Sequence, residues 1–292
     1  MTFKSSTDFR RSVETKILQL HHASGIPLAT IRKTIVFNRF LARLTMALPH
    51  GWVLKGGYFM QIQFHQKART TRDVDLLFTE QREHIRDVLI KASMIHLPDW
   101  FTFEVGVISA EGQEQEKTTR YEIHSLLDSH TFENFHMDIN SSDILLGKPV
   151  CIPSREILDI HEFSRFEIPC YSLSQQIAEK YHALTKPYGA GVSSRVKDLV
   201  DILLIAGQKD LNFPRLRKTI ITTFQNRNTH DLPPIVPRVL VLFPKEYSSL
   251  ANKLDIRQKT VTEANSALAE FIAPLLSGDS KKSWDHEHWK WI

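Results

Sequence analysis

Two aspartates one residue apart open the run Asp73-Val74-Asp75-Leu76-Leu77-Phe78, and few arrangements of a chain can accommodate them. The apolar residues that follow predict a short buried strand over 74–78. Successive strand side chains alternate faces, so Asp73 and Asp75 share one face while Val74 points into the other layer. Carboxylates held that close repel unless a cation sits between them. The hard, oxygen-seeking cation that works beside phosphates is Mg²⁺. Upstream, Lys55-Gly56-Gly57 forms a turn whose backbone can approach a phosphate, because no Cβ stands in the way. Together these features point to a metal-dependent site for a nucleoside triphosphate.

The elements around this stretch divide the chain in two. Phe37, Leu41, Leu44 and Leu48 make one apolar helical stripe that stops at Pro49, and the first 48 residues read as helical. Residues 80–95 read as a helix carrying Ile85, Leu89 and Ala92. Residues 101–107 and 121–123 alternate at period two as half-buried strands, separated by a polar segment over 111–117. Phe135-His136-Met137-Asp138-Ile139 alternates as well, with the apolar residues on one side and His136 and Asp138 on the other. From Leu173 onward helices dominate, and the boundary falls among the prolines between Pro153 and Ser172.

Composition adds exclusions. The 292 residues are 42% hydrophobic and 24% charged, ordinary for a globular protein with one or two cores. No apolar run approaches the roughly 18 residues of a membrane span, and the polar first residues do not read as a signal peptide. Cys151 and Cys170 are the only cysteines, which fits a reducing cytosol better than a disulfide scaffold. A net charge of +4 is compatible with a nucleic-acid partner and common in proteins without one.

Nucleotidyl transfer uses about three carboxylates to hold two Mg²⁺ ions roughly 4 Å apart. Asp73 and Asp75 supply two. Asp138 is the best third candidate, since it sits mid-strand opposite an apolar row; an ordinary solvent-facing residue is the competing reading. Asp143 reads as a turn or cap residue.

Leu54-Lys55-Gly56-Gly57, Arg69-x-Thr71-x-Asp73-Val74-Asp75, Ala178-Glu179-Lys180 and Arg195-x-Lys197-Asp198-Leu199-x-Asp201 occur in an order that resembles the AbiEii toxin family. The likeness spans roughly residues 30 to 210. It implies an α/β (α+β) nucleotidyltransferase-like domain of the DNA polymerase β type, with N-terminal helices, over residues 1–165. An all-helical C-terminal domain would follow over 166–292. It also implies a Mg²⁺-dependent toxin that moves a nucleotide from a nucleoside triphosphate to RNA, with the tRNA 3′ end as acceptor. A separately encoded antitoxin, of winged-helix type, would silence it. Asp73, Asp75 and Asp138 would bind metal, and Lys55, Gly56, Gly57, Arg69, Thr71 and Lys180 the nucleotide. Asp73, Asp75, Lys180 and Asp198 would be the catalytic set. One departure stands out: family members often carry a small hydroxyl residue after the glycines, where this chain has Tyr58. Its ring either narrows the phosphate cradle or points into the core.

The later motifs also read from physics. Ser174 is a candidate helix cap, followed by Ile177, Tyr181 and Leu184 on one face. At about 100° per residue, Lys180 lies about 60° from Ile177, so its ammonium needs an anion or must snorkel. In the next helix, from about residue 194, the main stripe is Val196, Leu199, Val200 and Leu203. Asp198 lies on a second face with Ile202 and Ile205, where it wants a partner such as Lys180, a metal or a backbone donor. Asp201 reads as structural. Tyr188-Gly189-Ala190-Gly191 joins the helices as a flexible loop that can border a nucleotide. Arg215-Leu216-Arg217-Lys218 is a solvated helix face or a basic face for RNA. His286-x-His288 sits among tryptophans, which reads as a docked aromatic tail rather than a zinc site. Two rivals remain open: transfer to a protein hydroxyl or small molecule, and a non-catalytic nucleotide- or antitoxin-binding module.

Overall fold

In a computed structural model the protein is described over residues 3–79, 84–111, 118–187, 195–238, 244–279 and 281–292. Residues 112–117 of the expected polar segment 111–117, residues 80–83 of the expected helix and the 188–191 loop lie outside these residues, while residue 111 ends a strand. The chain divides into two compact units, Met1–Gln63 with Thr70–Cys170, and Phe64–Arg69 with Tyr171–Ile292.

The first unit is built on a seven-stranded mixed sheet. Helix α1 (Ser6–Ser24) starts where the Ser5 hydroxyl accepts from the Asp8 amide, and it ends at Gly25, whose φ of 69° is the left-handed conformation glycine takes readily. Its buried residues Phe9, Val13 and Ile17 repeat every four residues, as one helical face requires. Helix α2 (Leu28–Ala47) carries the predicted stripe, with Phe37, Leu41 and Leu44 buried and Leu48 as the C-cap. It is buried further round than that stripe, because Arg39 and Arg43 are buried too. Arg43 grips Asp99 through two nitrogens, at 2.9 and 2.6 Å, while Arg39 meets Glu156 at 2.5 Å. Buried cations survive only with such partners.

Strands β1 (Trp52–Lys55) and β2 (Asp73–Phe78) are separated by α3 (Gly56–Phe64), and α4 (Ile85–Ser93) follows with Ile85, Leu89 and Ala92 buried. The strands β3 (Phe101–Glu111), β4 (Thr118–Leu127) and β5 (His130–Asn140) then run as an antiparallel meander. A hairpin of β6 (Val150–Pro153) and β7 (Glu167–Cys170) completes the order β3-β4-β5-β2-β1-β7-β6. One sheet face is apolar: Phe135 packs edge-on to Phe37 and Phe40, and Phe103 meets Phe40. Alternation leaves Asp73, Asp75, Arg120, Glu122, His136 and Asp138 half-buried on the opposite face.

The second unit is mainly helical. Helix α5 (Leu173–Thr185) is capped by Ser172, which accepts from the Gln175 amide. This corrects the expected cap: Ser174 lies inside the helix and is buried, because the extended backbone that a cap needs occurs two residues earlier. Helices α6 (Val196–Ala206), α7 (Phe213–Arg227), α8 (Pro244–Lys253) and α9 (Val261–Ser277) follow, α9 opening on a Thr260–Glu263 capping box.

The unit also holds a three-stranded sheet of β8 (Leu211–Asn212), β9 (Ser283–Asp285) and β10 (Lys290–Trp291). Strands of two or three residues are too short to leave a periodic signal. This sheet docks the aromatic tail: Trp284 donates to the Ala206 carbonyl, and Trp291 donates to that of Phe271. His286 and His288 pair with Asp210 and Asp285. Among the described residues, no helix is long and apolar enough to cross a membrane.

Candidate active site

The site begins with the strand β2 and its neighbours. Val74 is fully buried, and Asp73 and Asp75 emerge on the other face. In the parallel pairing with β5, Asp73 lies opposite His136 and Asp75 opposite Asp138. In the antiparallel pairing with β1, Asp75 lies opposite Lys55. All three candidate carboxylates therefore belong to two adjacent positions on two neighbouring strands. His136 Nδ1 stands 3.5 Å from Asp73 Oδ1.

The glycine pair has a local role that the sequence reading did not include. Gly56 has φ of +70°, and a Cβ on it would fall 2.6 Å from Asp75 Cγ and closer still to Oδ2. Only glycine combines that backbone with that space. The Gly57 amide donates to Asp75 Oδ2 across a long 3.4 Å. The start of α3 thus makes room for the second carboxylate of the pair.

Tyr58 resolves to the core. It is 1% exposed, its ring packs on Phe37, and its hydroxyl donates to Asn38 Oδ1 at 2.6 Å. Burial pushes its phenol far up from the ordinary range. Lys55 pairs with Asp143 at 2.6 Å, and the Asn140 side chain accepts from the Asp143 amide at 2.7 Å. Asp143 is thus both a turn residue and the carboxylate that holds Lys55. Thr71 donates to the Asp73 carbonyl at 3.3 Å.

Arg120, which no sequence signal singled out, engages the third carboxylate of the set. It lies opposite Asp138 in β4 and donates to both its oxygens at 2.8 Å. Extending the alternation of 121–123 backward would have put Arg120 on the face of Glu122, but the pairing register cannot be read from one strand. For a hard divalent cation the donor chemistry at Asp73 and Asp75 fits, whereas Asp138 is engaged by the guanidinium. Among the described residues, no group of three or more His, Cys, Asp or Glu is gathered closely enough to hold a metal ion.

In the second unit, Lys180 is 6% exposed. Its ammonium lies 3.1 Å from Asp198 and 2.6 Å from Asp201. Burial alone would lower its pKa, but the two carboxylates outweigh burial and the opposing Arg69, so the pKa is raised. Arg69 also donates to Asp201, at 3.1 and 3.3 Å, and Arg195 reaches Asp198 at 3.8 Å. Arg69 thus belongs with α6, and Asp201 is the hub of a five-residue charge network. Glu179, on the polar side, pairs with Arg227.

By its family the protein is a nucleotidyltransferase-like enzyme. The family model described as "Nucleotidyl transferase AbiEii toxin, Type IV TA system" matches residues 39–288, and the chain belongs to that family. A type IV toxin–antitoxin system implies an antitoxin partner, and a nucleotidyltransferase implies a nucleoside triphosphate substrate. Similar solved structures include the crystal structure of JHP933 from Helicobacter pylori, at 14% identity and a TM-score of 0.44, covering 84% of this chain and 94% of that one. Another is the solution structure of the antibiotic-resistance factor ANT(2'')-Ia, at 11% identity and a TM-score of 0.38, covering 67% and 92%. No curated protein matches the sequence.

Proposed function

We propose that this protein is a Mg²⁺-dependent toxin that transfers a nucleotide from a nucleoside triphosphate to RNA, with the tRNA 3′ end as acceptor. A hydroxyl oxygen of the acceptor bonds to the α-phosphorus as pyrophosphate leaves. The observation that carries this reading is the pair Asp73 and Asp75, half-buried on one strand face with Gly56 packed against the second. Two carboxylates on one strand face offer the hard oxygen donors that a divalent cation takes. When bound, Mg²⁺ would neutralise phosphate charge and make the attacking hydroxyl more acidic.

Asp73 and Asp75 would hold the ion, and Asp138 would complete the set once free of Arg120. Gly56 and Gly57 would bind the nucleotide through backbone free of side chains, with Gly56 also leaving room for the Asp75 carboxylate. Lys180, kept protonated by Asp198 and Asp201, would be a fixed positive charge of the second unit, open to a phosphate of the substrate. The net charge of +4 is consistent with an RNA acceptor. The burial of Tyr58 keeps its ring out of the phosphate cradle, which supports a catalytic reading. The antitoxin would be a separate protein of winged-helix type.

Incubation with labelled nucleoside triphosphates and separate pools of tRNA, protein and small molecules tests the reading. Label should enter tRNA, and Asp73→Asn or Asp75→Asn should abolish it while leaving a folded protein. Transfer retained by both variants, or label found only in protein or small molecules, would overturn it.

A further inference from the structure

Three adjacent strands place Arg120, Asp138 and Asp75 in one row, since Arg120 pairs with Asp138 across β4–β5 and Asp138 with Asp75 across β5–β2. The guanidinium meets Asp138 fork to fork, Nε to Oδ1 and Nη2 to Oδ2, both at 2.8 Å. Such a bidentate pair occupies lone pairs that a metal ion would take, and its fixed charge repels a dication nearby.

The pair also differs from the structural ion pairs of this unit. Arg43 and Asp99 are both 0% exposed, so parting them would strand two buried charges. Arg120 and Asp138 are 33% and 17% exposed, so parting them leaves both charges within reach of water. The contact is releasable.

We propose that Arg120 is a built-in competitor for the divalent cation at Asp138. The first ion is held by Asp73 and Asp75 while Asp138 stays clamped, and Asp138 joins the coordination only when Arg120 lets go. This rests on the reading of Asp73 and Asp75 as metal carboxylates.

Mn²⁺ titration of the full chain, followed by the paramagnetic resonance signal of free Mn²⁺, tests the clamp without reference to activity. Asp138→Asn should bind Mn²⁺ as the wild type does, because Asp138 is not a ligand in the clamped state. Arg120→Gln should bind at least about tenfold more tightly. In the double variant R120Q/D138N that gain should shrink to the general effect of removing one positive charge. Arg120→Lys keeps the charge but cannot fork; its smaller gain in the same direction serves if R120Q does not fold.

A gain equally large on the D138N background, no gain in R120Q, or a D138N loss as large as that of Asp73→Asn would overturn the clamp. If D73N loses the ion while R120Q gains nothing, the clamp alone falls. If D73N keeps the ion, or no variant binds Mn²⁺, the metal reading falls with it.

Discussion

Lys180 lies nearer to Asp201 than to Asp198, 2.6 Å against 3.1 Å, and Asp201 is the fully buried member of the pair. Asp201 also accepts from Arg69, so its removal would leave two cations without their shared anion. Asp201→Ala should therefore cost about 3–5 kcal/mol in urea unfolding. Asp198→Ala, whose site is partly open to water, should cost about 1–2 kcal/mol. Equal losses would show that Asp201 is not the hub.

Gly56→Ala probes the space beside Asp75. The left-handed backbone alone costs about 1–3 kcal/mol for a residue with a side chain. The methyl group must also push the Asp75 carboxylate aside. The variant should melt earlier and lose nucleotide transfer as fully as D75N does. A G56A protein with wild-type stability and transfer would contradict the geometry.

Tyr58→Phe should separate packing from catalysis. It deletes the hydroxyl bonded to buried Asn38, leaving that acceptor unsatisfied at a cost of about 1–3 kcal/mol. Transfer measured well below the melting temperature should be unchanged. A fall in nucleotide affinity without a fall in stability would return Tyr58 to the phosphate cradle.

How much of this was legible beforehand depends on how local each signal is. The alternation of Phe135, Met137 and Ile139 predicted β5, and those residues are buried. The spacing of Ile177, Tyr181 and Leu184 predicted α5, with Lys180 at the edge of its apolar face. Arg120 was missed because its relation to Asp138 is a matter of register between two strands, which hydrophobic pattern alone does not specify. Arg39 and Arg43 were missed because a charged residue on a helix reads as surface until its buried partner is known. Asp201 looked structural in sequence; its proximity to Lys180 depends on how α5 and α6 pack.

His230 supplies a dependence on pH. Burial, and then Lys186, hold its imidazole below the ordinary range, while Asp231 opposes them. The ring stands 4.5 Å from that of His182, and its nitrogens meet Thr185 at 3.0 Å and Thr229 at 3.1 Å. A histidine pKa lowered by folding contributes stability that is present above the unfolded value of about 6.5 and is lost as pH falls through the folded value. His230→Gln should lack that term, so the difference in melting temperature between wild type and variant should narrow from about pH 7.5 to about pH 5. A difference independent of pH would exclude His230 as the source.

The assignment of Phe64–Arg69 to the second unit has a consequence for dissecting the protein. The polypeptide crosses between units before residue 64, after residue 69 and again after Cys170, so no single cut yields both halves whole. A fragment ending at Cys170 would keep residues 64–69 but lose what they bind: Gln208 for Lys67, Lys209 for Phe64 and Asp201 for Arg69. A fragment starting at Tyr171 would leave Asp201 without Arg69. A protease nick on either side of that hexapeptide would leave the two pieces still interlaced through the chain, so loss of activity on truncation would say little about which unit performs the chemistry.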